Sequence, residues 1–192
     1  MQSGSKNQKP KLTFERATNI GALHSFSCGQ EDVDHIIREV LPDTLFDNEL
    51  YLVKDGEEVV ALFCLQIENH CLFLSDDTKG KMQAGTKPKP NSALVEGEKF
   101  WERFNYDSRE LTLLAVKEDR RFQHIGSFII ESILERLAND PNENREFIHV
   151  RALNTEEYSA IPFYRKCGFF PAVKEEKGVN LMMYRIIPQG IH

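Results

Sequence analysis

The chain has 192 residues and a hydrophobic content of 41%, which suits one globular domain of ordinary size and argues against disorder throughout. Its net charge of −6 argues against a broad nucleic-acid-binding surface, since such surfaces are normally basic. No apolar run reaches the about 18 residues that a membrane span needs, and the polar start MQSGSKNQKP is unlike a signal peptide. We therefore expect a cytoplasmic protein whose four cysteines are buried, reduced thiols without metal-ligand spacing.

The sequence pattern of the first half of the chain predicts several strands and one helix. Residues 1–10 are expected to form a disordered leader, ahead of a single domain over 11–192. The pair Asp55-Gly56 lies between two apolar runs and is a strong hairpin signal. Pro42 is expected to end or kink the helix, whose apolar stripe consists of Val33, Ile36, Ile37, Val40 and Leu41. The predicted elements are a strand at 11–17, a helix at 29–45, a hairpin at 49–67 and a short strand at 70–75.

The second half contains an irregular segment and then the most regular part of the chain. Residues 76–108, rich in Lys, Gly and Pro, are predicted to be a mobile insertion that flanks a cleft and includes a short helix at 94–104. The later elements are a strand at 109–116, a helix at 124–140, a strand at 145–153, a helix at 156–169 that Gly168 closes, and a strand at 179–187. The apolar stripe of the helix at 124–140 consists of Ile125, Phe128, Ile129, Ile133 and Leu137.

This order of elements predicts an α/β (α+β) fold with a mixed, mostly antiparallel central sheet and helices on both faces. The unit at 109–153 should form a right-handed crossover between parallel strands. Ligands of such sheets bind at the carboxyl ends of the strands, beside helix N-termini. The turn KEDRRFQHIG at 117–126 lies at that end of the sheet.

This turn has the composition of an anion-binding site. Consecutive main-chain N–H groups in a turn attract a phosphate, together with the first N–H groups and the dipole of a helix. Gly126 would let the anion approach the backbone, and Arg121 would add charge or brace the loop. In the alternative interpretation, Arg120 and Arg121 are solvated surface residues, and Gly126 packs the helix against the sheet.

The residues from 109 to 170 resemble the GNAT superfamily of acyl-CoA-dependent N-acyltransferases. The phosphate signature of that family, Q/R-x-x-G-x-G/A, matches at Arg121 and Gly126, whereas His124 stands where the family usually has glycine. His124 is expected to begin the helix. The resemblance implies that acetyl-CoA is the co-substrate and that no metal takes part. The cofactor-binding residues that it implies are Leu114, Ala115, Val116, Arg121, Phe122, Gln123, His124, Ile125, Gly126, Ser127 and Asn154.

Two catalytic candidates come from the same resemblance. The stretch AIPFYRKCGF is similar to a GNAT helix whose tyrosine faces the cofactor sulfur, so Tyr164 is the candidate acid that protonates the leaving thiolate. Glu110 stands where some GNAT enzymes have a base that deprotonates the amine. In the alternative interpretation, Tyr164 is a packed helix residue and Glu110 a solvated strand-end residue. Other bases that the sequence leaves open are Glu68, Glu156 and Glu157.

The predicted function is transfer of an acetyl group from acetyl-CoA to a primary amine by direct attack, with a small molecule or peptide as the acceptor. The stretch FSCGQEDVDHII at 26–37 is similar to GNAT toxins that act on aminoacyl-tRNA, so a toxin-type acetyltransferase is one alternative. A non-catalytic acyl-CoA-binding module is another. Only the toxin alternative has a nucleic-acid partner, tRNA, and no membrane partner is expected. Cys28 is expected to be a buried thiol rather than an acyl-carrying nucleophile, and the oligomeric state, including a homodimer, stays open.

Overall fold

The computed structural model describes residues 11–18, 21–44, 49–75, 103–143, 145–171 and 177–188, so the predictions for 1–10 and 76–102 lie outside the described residues. The strands are β1 Leu12–Arg16, β2 Glu49–Asp55, β3 Glu58–Ser75, β4 Arg103–Val116, β5 Phe147–Ala152, β6 Phe170–Pro171 and β7 Leu181–Ile186. The α-helices are α1 Glu31–His35, α2 Leu41–Thr44, α3 Ile125–Asn139 and α4 Ile161–Lys166.

The strands form a seven-stranded sheet in the order β1-β2-β3-β4-β5-β7-β6. The chain divides into two compact units, the first made of Met1–Cys64 with Leu113–Gly126 and the second of Leu65–Thr112 with Ser127–His192. The single domain over 11–192 stays a prediction.

The first unit contains the predicted first strand and hairpin. β1 pairs antiparallel with β2, and the register places Leu12 opposite Asp55. The hairpin turn between β2 and β3 has Gly56 at φ 63, a conformation that glycine adopts without strain. Both predictions are confirmed. The buried core of this unit consists of Leu23, Phe26, Cys28, Ile37, Leu41, Leu50, Leu52, Leu62, Cys64 and Ala115.

The helix predicted at 29–45 is present but interrupted. Between α1 and α2, Ile36–Val40 form a π-helical turn. A π turn has more residues than an α turn and therefore shifts the side chains that follow it around the helix axis. Ile37 and Leu41 are buried, but Ile36 and Val40 are 41% and 46% exposed. The predicted apolar stripe is wrong at Ile36 and Val40.

Two strands are longer than their sequence patterns indicated. β3 continues to Ser75, so residues 70–75 are not a separate strand. β4 begins at Arg103, so the insertion predicted at 76–108 and the helix predicted at 94–104 are both wrong from that residue onwards. The aromatic residues of the stretch RFNYDS favour a strand, and they extend the apolar strand that follows.

α3 begins after the residue that was expected to start it. His124 lies outside the helix and has φ 61, a left-handed value that no helical residue adopts, so the prediction that His124 begins the helix is wrong. The residues of the predicted stripe are buried, except Phe128, which is 47% exposed. The helix itself is confirmed over Ile125–Asn139.

α4 is much shorter than the helix predicted at 156–169. The chain before it forms a turn, in which the N–H of Thr155 donates to the carbonyl of Tyr158 at 2.8 Å. Pro162 lies in the first turn of α4, and a proline there marks the start of a helix because it lacks the N–H that a longer helix would need. The predicted end is confirmed, since Gly168 has φ 78.

The second unit contains the parallel pair that the sequence predicted. β4 pairs parallel with β5, while β5 and β6 each pair antiparallel with β7. The sheet is therefore mixed and mostly antiparallel, as predicted, although the two-residue strand β6 was not predicted. None of the helices that the structure describes is long and apolar enough to cross a membrane.

Candidate functional site

The turn that follows β4 is held in place by its main chain. The N–H of Lys117 donates to the carbonyl of Val60 at 2.8 Å, and the N–H of Glu118 donates to the carbonyl of Ser27 at 3.2 Å. A short 3-10 turn, Glu118–Arg120, follows. These bonds fix the position from which the predicted phosphate-binding segment, residues 121–126, continues.

Two residues of the turn, Phe122 and His124, have a left-handed backbone. Their φ values are 63 and 61. Left-handed residues within a turn direct successive N–H groups to one side, which makes a concave site for an anion. For residues other than glycine this conformation costs about 1–2 kcal/mol each, and such strain concentrates at functional sites. His124 thus occupies a conformation that glycine, the usual residue of the GNAT signature, adopts easily.

Two of the basic side chains in this turn are neutralised by acidic residues of the hairpin. Lys117 Nζ lies 2.5 Å from Glu58 Oε1, and Arg120 contacts both Glu58 and Asp55. The hydrogen bond from Lys117 is the largest cause of a lowered pKa of Glu58. Arg120 is therefore an ion-paired residue and not the freely solvated charge of the alternative interpretation.

Arg121 braces the turn. Its guanidinium donates a hydrogen bond to the main-chain carbonyl of Cys28. The sequence offered two roles for this side chain, added charge or a brace, and the structure contains the bracing contact. Direct binding of phosphate by Arg121 stays a prediction.

The loop that Arg121 braces is organised by a buried carboxylate that the sequence did not single out. Asp34 is 4% exposed and accepts hydrogen bonds from Ser27 Oγ at 2.6 Å, the N–H of Cys28 at 2.7 Å and the N–H of Gly29 at 3.2 Å. Burial alone would raise the pKa of Asp34, but these hydrogen bonds outweigh it and lower the pKa below its ordinary value of 3.8. An aspartate one helical turn after a Ser-Cys-Gly stretch was the available signal.

Cys28 is a structural thiol. Burial, together with a hydrogen bond to Asp34, raises the pKa of Cys28 to about 11. A thiol with that pKa is protonated at neutral pH, and only the thiolate is an effective nucleophile. This supports the expectation that Cys28 carries no acyl group.

The remaining predicted cofactor contacts of the first unit differ in exposure. Ala115 is buried in the core of this unit, and Leu114 and Val116 on either side of it are half-buried. Gln123 is exposed, and Phe122 is 99% exposed. Main-chain N–H donation by Leu114, Ala115 and Val116 to pantetheine stays a prediction. The other predicted contacts are Ile125, which is buried, and Gly126, which is half-buried, as is Ser127 at the start of the second unit.

Glu110 is buried, not solvated. Its side chain lies on β4, and the residue is 6% exposed. Its carboxylate oxygens lie 3.6 Å from His149 Nε2 and 3.7 Å from Arg151 Nε, both on β5. The alternative of a solvated strand-end residue is therefore wrong. The sequence did not single out His149 or Ser108, which contacts His149 on the other side of its ring. His149 is a polar residue inside the apolar strand β5, and that was the signal, whereas Ser108 lies among polar residues and gave none.

Tyr164 is buried on α4. It is 6% exposed, and its ring packs edge-on against Phe163 and Phe169, at centroid distances of 5.1 and 5.4 Å. Burial is the main cause that raises the pKa of Tyr164 above its ordinary value of 10.0. The phenol therefore retains its proton at neutral pH, as a general acid must. Its role as that acid stays a prediction.

Asn154 has a structural role in the second unit. Its main-chain N–H donates to Asn180 Oδ1 at 3.0 Å, and its side-chain Nδ2 donates to the carbonyl of Val179 at 3.2 Å. These bonds tie the turn that precedes α4 to the segment that precedes β7. The predicted contact of Asn154 with pantetheine stays a prediction. Within the described residues, no group of three His, Cys, Asp or Glu side chains is arranged to hold a metal ion.

Comparisons with known proteins agree on the family. Residues 92–171 match the family model described as the acetyltransferase (GNAT) domain, whereas no curated protein sequence matches the chain. A mutant of the AtaT toxin has a TM-score of 0.69 at 18% identity, with coverage of 97% of this chain and 96% of that chain. A mutant of KacT has a TM-score of 0.64 at 19% identity, with coverage of 92% and 95%. AtaT complexed with acetyl-methionyl-tRNAfMet has a TM-score of 0.58 at 19% identity, with coverage of 90% and 94%.

The matched region contains the buried Glu110, the anion-binding turn and Tyr164, and the similarity of fold extends over nearly the whole chain. Identities this low show the fold, while the domain match shows the enzyme class. Residues 92–171 thus match an acetyltransferase domain of the GNAT type, and the chain is an acyltransferase, as the sequence predicted.

Proposed function

We propose that the protein transfers the acetyl group of acetyl-CoA to the α-amino group of an aminoacyl-tRNA. The observation that carries this proposal is the similarity of fold to AtaT, over 97% of this chain, because one AtaT structure contains acetyl-methionyl-tRNAfMet. The toxin alternative from the sequence is thereby favoured over a small-molecule or peptide acceptor.

The turn after β4 supports acetyl-CoA as the donor. Phe122 and His124 have left-handed φ values, and a turn of alternating handedness can direct main-chain N–H groups towards a diphosphate. Related structures include an AtaT complex bound with AcCoA. Acetyl-CoA supplies an acyl group on a good leaving group, the thiolate. In this proposal the main chain of 121–127 binds the diphosphate, and Arg121 keeps the turn in shape through Cys28.

Two buried side chains of the second unit suit the proton transfers. The α-amino group of an aminoacyl ester arrives partly as ammonium and must lose a proton before it attacks. Glu110 accepts that proton, and the amine nitrogen then forms its bond to the thioester carbon. As the carbon–sulfur bond breaks, Tyr164 donates its phenolic proton to the sulfur, the nitrogen releases its second proton to solvent, and Tyr164 regains a proton from solvent. The raised pKa of Tyr164 keeps the phenol protonated for this step.

An acceptor panel tests the proposal. Purified wild-type protein is incubated with acetyl-CoA labelled in the acetyl group and with charged tRNA, deacylated tRNA, free amino acids or small amines. We expect label on the amino acid of charged tRNA, released by mild base as the N-acetyl amino acid. We expect no label on the other acceptors. Label on a small amine but not on charged tRNA would reject the proposal and support the acceptor predicted from the sequence, a small-molecule or peptide amine.

Tyrosine variants test whether Tyr164 is the proton donor. Tyr164→Phe removes the phenolic proton and retains the ring that packs against Phe163 and Phe169, so turnover should fall about 10²-fold with little change in acetyl-CoA affinity. Tyr158→Phe is the matched control, since Tyr158 is 38% exposed and should tolerate the change. Acetyl-CoA binding without label on any acceptor would instead favour the non-catalytic acyl-CoA-binding module.

A further inference from the structure

Three polar side chains are buried together on two neighbouring strands. Ser108 and His149 have no exposed surface, and Glu110 is 6% exposed. Burial of polar groups is unfavourable unless they bond to one another, and strands inside a sheet normally carry apolar residues there. A buried cluster of this kind is a candidate for a chemical role as well as a structural one.

The strand register brings these residues into line. β4 and β5 are parallel, with Glu110 paired with His149 and Ser108 paired with Phe147. Ser108 and Glu110 are two residues apart, so their side chains project from the same face of β4. The imidazole of His149 bridges them, with Nδ1 2.8 Å from Ser108 Oγ and Nε2 3.6 Å from Glu110 Oε2.

The chemistry of these partners defines the tautomer of His149. A carboxylate accepts hydrogen bonds and donates none, whereas a hydroxyl does both. These contacts are consistent with an imidazole proton on Nε2, facing Glu110, and a Ser108 hydroxyl that donates to Nδ1. The 3.6 Å from Nε2 to Glu110 is an electrostatic contact, longer than a hydrogen bond. Ser108 thus determines which nitrogen of His149 faces the carboxylate as a donor.

The other side of the carboxylate has an exposed partner. Glu110 Oε1 lies 3.7 Å from Arg151 Nε, and the Arg151 side chain is 59% exposed. On β7, Tyr184 is paired with His149, and burial raises the pKa of Tyr184 to about 12, so that phenol adds no charge at neutral pH. One oxygen of Glu110 therefore faces a buried histidine, and the other faces an exposed cation, in the direction from which an ammonium group could arrive.

We propose that Ser108 and His149 position the Glu110 carboxylate as the proton acceptor for the attacking amine. This inference rests on the proposed acetyl transfer. The ammonium gives a proton to Glu110 Oε1, and its nitrogen forms the bond to the thioester carbon. The carbon–sulfur bond then breaks, the thiolate leaves and takes a proton from Tyr164, and the nitrogen releases its second proton to solvent. His149 keeps its own proton on Nε2 throughout. It acts through Glu110 and is a positioning residue.

The first test uses no acceptor. Long-range proton–nitrogen NMR of the histidine-labelled wild-type protein reports which ring nitrogen of His149 carries the proton. We expect the Nε2–H tautomer in the wild type and a mixture of tautomers in Ser108→Ala. An Nδ1–H tautomer in the wild type would overturn the proposal, whatever the acceptor turns out to be.

The second test is a double-mutant cycle on turnover with the acceptor that the panel identifies. His149→Phe should lower kcat about 10- to 100-fold without changing the KM for acetyl-CoA, and His149→Gln, which keeps a donor near Glu110, should recover most of that loss. In a Glu110→Gln background, His149→Phe should have no further effect. Additive losses would show a merely structural role. If His149→Phe fails to fold, Ser108→Ala takes its place in the cycle, with an expected loss of about 3- to 10-fold.

The outcomes separate this inference from the proposed function. Failure of charged tRNA as an acceptor, together with a non-additive cycle on another amine, would reject the aminoacyl-tRNA acceptor and retain the role of His149. Label on charged tRNA together with an additive cycle would retain the aminoacyl-tRNA acceptor and reject the role of His149.

Discussion

Two buried carboxylates in this protein have different surroundings. Asp34, in the first unit, is held by hydrogen bonds of 2.6 and 2.7 Å from its own loop, and these lower its pKa. Glu110, in the second unit, faces His149 and Arg151 at the longer distances of 3.6 and 3.7 Å. Their exposures are nearly equal, at 4% and 6%, so burial alone does not distinguish them.

The difference shows how surroundings assign a carboxylate to folding or to chemistry. A carboxylate that binds main-chain N–H groups loses those bonds when it is protonated, so it is a poor base and a good structural anchor. A carboxylate that contacts a histidine and an exposed arginine at longer distances can accept a proton and keep its position. Substitutions at the two sites should therefore alter different measured quantities.

The largest expected effect is on turnover at Glu110. Glu110→Gln keeps the shape of the side chain and removes its basicity, so kcat should fall about 10²- to 10⁴-fold while the midpoint of urea unfolding changes little. The measurement is a pair of curves, acetyl transfer against substrate concentration and unfolding against urea. An unchanged kcat in Glu110→Gln would show that Glu110, like Asp34, is not the base of the reaction.

The next effect is on stability at Asp34. Asp34→Asn should lower the free energy of unfolding by about 1–3 kcal/mol, because hydrogen bonds to a charged acceptor are replaced by weaker ones. Since folding lowers its pKa below 3.8, Asp34 stabilises the protein above that pH, and this contribution is lost as the pH falls through the folded value.

Urea unfolding at several pH values measures this contribution directly. The gap between wild type and Asp34→Asn should be full at neutral pH and should close in strong acid. Turnover per folded molecule should stay near that of the wild type. A constant gap across the acidic range would show that the charge of Asp34 contributes no stability.

A smaller effect is expected at Arg121. Arg121→Ala removes the brace to the carbonyl of Cys28 and should weaken acetyl-CoA binding about 10-fold, equivalent to about 1.4 kcal/mol. Arg120→Ala is the matched control, because that guanidinium contacts Glu58 and Asp55 of the hairpin. Calorimetric titration of both variants gives the comparison. Equal losses of acetyl-CoA affinity in the two variants would show that the effect comes from the removed positive charge and not from the brace.

The smallest effect is expected at His124. His124→Gly relieves the left-handed strain at φ 61 but gains chain entropy in the unfolded state, so the protein should become more stable by about 0.5 kcal/mol. Gln123→Gly is the control, since Gln123 is exposed and is not among the residues with positive φ, and it should destabilise slightly. Thermal unfolding of the two variants should therefore shift in opposite directions.

Local sequence patterns predicted the parts of the fold that depend on local chemistry. The Asp55-Gly56 turn, the helix Ile125–Asn139 and the cap at Gly168 follow from a few adjacent residues, and all three were correct. The helix before Tyr164 was wrong because Pro162 and the hydrogen-bonded turn at Thr155 override the apolar spacing.

The sequence singled out the part of the candidate site that lies in one continuous segment, but not the contacts between distant segments. Residues 121–126 are contiguous, with four in the turn and two at the start of α3, so a hexapeptide pattern was enough to single them out. The contact of Ser108 and His149 with Glu110 depends on the register of two strands that are distant in sequence. No pattern within one segment contains that register. The sequence therefore singled out Glu110 as a candidate residue but not the residues that contact it.

Calorimetric titration of the wild-type protein with acetyl-CoA is the most direct test, because the roles proposed for Glu110, His149 and Tyr164 all require a bound thioester. S-acetylpantetheine, which lacks the diphosphate, is the matched ligand. We expect saturable binding of acetyl-CoA to one site, and binding of S-acetylpantetheine that is about 100-fold weaker, since it leaves the N–H groups of the turn without an anion. No saturable heat with acetyl-CoA, or equal affinity for the two ligands, would contradict the assignment of residues 121–127 as the diphosphate site.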